Sequence, residues 1–164
     1  MGARALSTPD LEPFRLALRV RHPSMNPAEL SMSFGIEPEH SFRAGDPVPS
    51  RLAGLTGAAV YRESYWLGEL NQRGHPLMRG LFGIQQITEE EAAAFRKDLS
   101  SMLVWGCTLF FKTRAELLRR IRSEGGEVAL LVTLYSVDSF SLTPAVSQAL
   151  GELGVAVEFE LGRD

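Results

Sequence analysis

The chain has 164 residues, a length that fits a single domain with an ordinary hydrophobic core. With 45% hydrophobic and 23% charged residues it is neither disordered nor fibrous, and a net charge of −3 with a pI near 5.7 argues against a dedicated nucleic-acid binder. A single cysteine excludes an intramolecular disulfide or a cysteine-based zinc cage, and no apolar run approaches the ~20 residues that span a bilayer.

Residues 1–13 contain two prolines and no periodicity, and read as a flexible leader ahead of one domain, 14–164. The leader lacks the continuous apolar segment of a secretory signal, and Leu6 stands where a myristoylation signal has Ser or Thr, so a cytoplasmic location is expected. From Phe14, the apolar residues Leu16, Leu18 and Val20 alternate with Ala17, Arg19 and Arg21, the period of a half-buried strand. Asn26 then predicts an N-cap, Pro27 the first helical position and Glu29 the completion of a capping box, with Met25 and Leu30 as a hydrophobic staple and Gly35 as the helix stop. A second extended piece, 39–45, is expected to return beside the first strand.

Residues 46–59 are rich in Pro and Gly and predict a long surface loop; 60–70, "VYRESYWLGEL", predict a strand. The 71–86 segment is irregular yet carries Leu77, Met78, Leu81, Phe82 and Ile84, which must pack on the domain or on something else. Thr88 with Glu91 predicts a capping box, opening a helix with Phe95, Leu99 and Met102 on one face. "GCTLFF" (106–111) is short enough for a strand or a helix–helix connector. Thr113 with Glu116 predicts the next helix start and Gly125-Gly126 its stop. Val128–Tyr135 is apolar on both faces, as a central strand is. Thr143-Pro144 opens the last helix, Gly154 closes it, and Val155–Leu161 alternates as a strand with one wet face.

The segments 15–45 and 128–162 thus share one plan: strand, polar turn, proline-started helix closed by glycine, strand. That repetition predicts an α+β fold, a pseudo-symmetric ferredoxin-like sandwich with a mostly antiparallel sheet and its helices packed on one face.

Candidate chemistry is sparse. His22, His40 and His75 lack the spacing of metal ligands, and His22, ahead of Pro23, reads as a solvated turn histidine. Cys107 has apolar neighbours and reads as a small buried hydrophobe. Glu89-Glu90-Glu91 suits a helix N-terminus, and Arg114, Arg119, Arg120 and Arg122 suit a solvated helix face. No nucleophile elbow or phosphate-binding glycine pattern occurs, so neither a catalytic residue nor a cofactor is assigned. The binding candidates are Arg43, Asp46, Arg62, Glu63 and Trp66, gathered at one sheet end if the strand of Trp66 lies beside 39–45, with Tyr135 as a neighbour. Tryptophan and arginine are the residue types most enriched in interface hot spots.

The string "NPAELSMSFGIEPEHSFRAGDPVP", followed by "YRESYW" and "SLTPAVSQALGELGVAVEFEL", resembles the bacterial domain-of-unknown-function family 4279 over about residues 15–162. The resemblance implies an α+β fold and no assigned activity. It departs at Leu67-Gly68-Glu69, where a serine-bearing strand end is expected, and in the length of 71–86. The expectation is therefore a non-catalytic cytoplasmic module that binds a protein partner, of inhibitor or immunity type. The alternatives are a small-ligand binder or enzyme with a pocket at the sheet end, and a homodimer joined at a sheet edge. Neither nucleic acid nor membrane is an expected partner.

Overall fold

Alternation in the first strand decides how the chain layers itself. The structure is a computed structural model that describes residues 12–49, 59–71, 88–137 and 139–162. In chain order the elements are β1 (Phe14–His22), α1 (Pro27–Phe34), β2 (His40–Phe42), β3 (Ser64–Glu69), α2 (Glu89–Lys97), α3 (Leu99–Trp105), a π-helical turn (Gly106–Phe111), a 3-10 turn (Lys112–Arg114), α4 (Ala115–Ser123), β4 (Glu127–Leu134), α5 (Pro144–Leu153) and β5 (Val155–Leu161). The even-numbered side chains of β1, from Phe14 to His22, are all buried on one face. They meet Leu30, Phe34, Leu103, Phe111, Leu118, Ile121 and Leu150 of the helices in one core. The architecture is α+β, with a five-stranded, mostly antiparallel sheet.

The strand order is β2-β3-β1-β4-β5. Among the described strands only β4 and β5 are parallel neighbours; β1 runs antiparallel to both β3 and β4, and β2 antiparallel to β3. The 39–45 segment therefore does not return beside the first strand. β3 takes that place, pairing six residues with β1 against the three that β2 pairs with β3. Asn71 carries the pairing on past β3: its side chain accepts the Leu16 N–H at 2.9 Å and donates to the Phe14 carbonyl at 3.0 Å. The rest of the 71–86 segment lies outside the described residues, as do residues 1–11 of the leader. Pro13, the leader's last residue, accepts the N–H groups of Tyr135 and Ser136.

The helix ends follow local chemistry in most places. Asn26 caps α1 by accepting the Ala28 N–H, and Thr88 and Glu91 form a reciprocal capping box on α2. Gly35 and Gly154 end α1 and α5 at φ 69° and 68°, a conformation that favours glycine. Two expectations fail. Glu29 does not complete a box with Asn26, because its carboxylate meets Arg120 of α4 at 2.5 Å. Thr113 does not cap a new helix: its hydroxyl donates back to the Leu109 carbonyl at 2.6 Å, inside a helical path running on from α3. The 106–111 segment is thus a helical connector, not a strand.

Among the described residues, no helix covers the opposite sheet face. Arg15, Arg19 and Arg21 of β1 point there, each beside a carboxylate: Arg15 meets Glu39 and Glu69, Arg19 meets Glu158, and Arg21 meets Glu63. Ala17 and Ala129, on the same face, are buried in their midst, where long arginine stems cover small residues.

Candidate functional site

The strand phase that buries Trp66 turns Tyr65 and Glu63 to the open face. Tyr65 pairs with Phe42 across the β2–β3 ladder, and the two rings stack at 5.2 Å between centroids, 13° from parallel. On its other side Phe42 stacks on Tyr61 at 3.8 Å and 14°. The stack is held by backbone. Gly45 donates to the Tyr61 carbonyl and Tyr61 to the Asp46 carbonyl, and Val48 donates to Ala59, so the hairpin continues past β2. Ser64 accepts the Ala44 N–H, and Asp46 accepts that of Arg43, which closes the turn between them.

The stack divides two concavities. One, of ≈ 610 Å³, is lined by Arg21, His22, Pro23, Phe42, Tyr61, Arg62, Glu63, Gly125 and Glu127. The other, of ≈ 510 Å³, is lined by His40, Ser41, Phe42, Asp46, Pro47, Pro49, Tyr61 and Tyr65. The aromatic rings are half-buried, and Arg43, Asp46 and Arg62 are exposed.

Of the six binding candidates, four gather here. Arg62 and Glu63 line the first concavity, Asp46 the second, and Arg43 flanks the second through its backbone. Glu63 is committed to Arg21 at 2.5–2.8 Å. Trp66 is not with them. It is fully buried on the helix face, where its Nε1–H donates to the Ser31 hydroxyl at 2.9 Å and its ring packs on Phe34. Tyr135 is not with them either. It follows β4 at the far end of β1, where Phe14 faces Leu134, whereas His22 faces Ser64. The eight residue steps between those ends span roughly 26 Å at about 3.3 Å each.

Phe42, Tyr61, Tyr65 and Arg21 are the site residues that sequence reasoning passes over. The signal was present: alternation through "YRESYW" puts residues 61, 63 and 65 on one side and Trp66 on the other.

His22 is not solvated; it is 2% exposed. Its Nδ1 accepts N–H groups from Ser24 and Met25 at 3.1 and 2.8 Å, which places the ring proton on Nε2. That nitrogen lies 3.3 Å from a Glu124 carboxylate oxygen, close enough for attraction although not aligned as a hydrogen bond. With Nδ1 committed to the Ser24 and Met25 N–H groups, His22 fixes the turn that carries Pro23. Arg114 likewise leaves the solvated set. Its guanidinium donates to the carbonyls of Ser33, Phe34 and Phe110 and lies 4.3 Å over the Phe110 ring, and burial pushes its pKa down.

A second polar cluster sits at the other end of the open face. Glu39, tied to β3 by its N–H to the Leu67 carbonyl, shares Arg15 with Glu69. Burial and the neighbouring Glu39 carboxyl raise the pKa of Glu69. Burial opposes ionisation of Glu39 too, but hydrogen bonds from Arg15 and Glu69 prevail and hold its pKa down. Among the described residues no group of three His, Cys, Asp or Glu side chains is placed to hold a metal ion. No helix among them is long and apolar enough to cross a membrane. No family model, no curated protein and no solved structure matches this chain.

Proposed function

We propose that this chain is a non-catalytic, cytoplasmic protein-interaction module of the domain-of-unknown-function 4279 type, with the open sheet face at the β2–β3 end as its recognition surface. The observation that carries this reading is the Tyr61–Phe42–Tyr65 stack, half-exposed between two concavities and flanked by Arg62 and Asp46. Rigid aromatics offer large contact area at little entropic cost, and with arginine they are the usual anchors of interfaces. An inhibitor or immunity-type role suits such a surface, since a small folded protein can block a partner by docking alone. The finer fold reading is a ferredoxin-like core of β1–β4, extended by α5 and β5; the strand order and the two strand–helix–strand segments support it.

A second reading, a small-ligand site in the ≈ 610 Å³ concavity, draws on that volume, which lies within the about 300–1,000 Å³ of ligand pockets. Affinity capture from lysate separates the two, with wild type beside an Arg62→Glu, Tyr65→Ser double variant of unchanged circular dichroism. A stoichiometric protein partner held by wild type and lost by the variant is the expected result. No partner with either form defeats the module reading and turns the work to a small-molecule thermal-shift screen.

A further inference from the structure

Resting on the interaction-face reading above, we infer that the segment seated in the ≈ 510 Å³ concavity is an extended, proline-rich peptide with a basic residue at one end. Three modes of peptide recognition compete for such a place: addition of a strand, a helix in a groove, and a polyproline-II segment on aromatic walls. Strand addition needs a row of free backbone donors along the sheet edge. Here the edge strand β2 is three residues long, and the chain beyond it carries Pro47 and Pro49, neither of which has an N–H. A helix, about 10–12 Å across, needs a long apolar trough to hold successive turns. This concavity is lined by two prolines and the aromatic stack, with the polar His40, Ser41 and Asp46 interrupting its apolar surface.

The third mode matches what the walls contain. Phe42, Tyr61, Tyr65, Pro47 and Pro49 supply flat, rigid apolar surfaces suited to pyrrolidine rings. A polyproline-II segment makes no internal hydrogen bonds, so its carbonyls look outward for donors. The phenol groups of Tyr61 and Tyr65 line the concavity and donate to no described residue, so they can serve those carbonyls. Among the described residues, the only acid lining the concavity is Asp46, exposed and with one carboxylate oxygen already used on the Arg43 N–H. Its charge selects a lysine or arginine on the peptide and disfavours an acid there. A preformed polyproline-II segment also loses little entropy on docking, which suits a shallow site.

The test is fluorescence anisotropy of the full chain with a fluorescein-labelled hexaproline peptide ending in arginine, alongside its glutamate-ended counterpart. Saturable binding is expected for the arginine peptide, weakened about tenfold by Tyr65→Ala. Asp46→Asn and the glutamate ending should each weaken it several-fold. Tyr65→Phe, which keeps the ring and its packing, should lose a smaller part and so guards against misfolding. Absence of saturation up to about 1 mM overturns the inference. So does binding that Tyr65→Ala leaves unchanged, or displacement of the peptide by maltohexaose, which would make the occupant a sugar. If capture yields a partner that the Tyr65 double variant loses while the peptides fail to bind, the recognition face stands and the peptide class is wrong.

Discussion

Tyr65 and Trp66 are chain neighbours that the sheet sends to opposite faces, and the two faces are stabilised by different means. On the helix side Trp66 is closed off by Phe34, Ser31 and the rest of an apolar core. On the open side Tyr65 rests on Phe42 amid arginines and glutamates that remain partly solvated. One face supplies stability through excluded water and packing. The other tolerates change, and is therefore where a surface can be shaped for recognition.

Mutation of the buried face should have the largest effect. Trp66→Ala should cost about 3–5 kcal/mol, read as a fall in the denaturant midpoint, because it opens a large cavity and removes the hydrogen bond to Ser31. Tyr65→Ala should cost far less; a comparable loss at both positions would abolish the distinction between the faces. Gly68→Ala comes next. A Cβ there would meet the Trp66 ring at 2.6 Å and Ile36 at 2.8 Å, so about 1–3 kcal/mol is expected from thermal melts.

The open face should answer to pH and charge instead. Glu69 has a raised pKa in the folded state, so its contribution is favourable below the ordinary glutamate range and is lost as pH rises through that elevated value. Glu69→Gln should therefore be close to neutral in acid. Near neutrality it should be stabilising by at most about 1 kcal/mol, since the site is partly solvated. Melting curves of both proteins from acid to neutral pH check the sign; a variant that loses stability as pH rises refutes it. The smallest effect is expected from the Arg19–Glu158 pair, whose Glu158 side chain is 51% exposed. A double-mutant cycle to alanine should return about 0.2–1 kcal/mol of coupling, falling with added salt.

What the sequence revealed of this molecule divides along the same line. Features set by near neighbours in the chain were legible: the phase of β1, the Asn26 and Thr143 helix starts, the Thr88–Glu91 box, and the glycine stops. Features set by partners distant in sequence were not. Nothing local says that β3 inserts between β1 and β2, or that Arg120, 91 residues away, draws Glu29 out of its box. His22 was misread because the backbone donors that bury it come from the turn's conformation, not its composition. At the candidate site the charged residues were found from their type. The aromatic stack depends on the pairing of β2 with β3, which sets Phe42 between Tyr61 and Tyr65 from a distant part of the chain.

The π-helical turn at Gly106–Phe111 has a consequence for how this chain tolerates length change. Its i→i+5 pattern holds one residue more than an α-helical turn. Upstream of it Met102 and Leu103 are buried, and at its end Phe110 and Phe111 are buried as well, so both stretches are phased to the same core. Deleting one residue there would let a regular α-helix form, yet would swing everything before it by about 100° around the axis. A change that improves local hydrogen bonding would thus turn Met102 and Leu103 to solvent, and the extra residue works as a fixed angular offset between two halves of one helical rod.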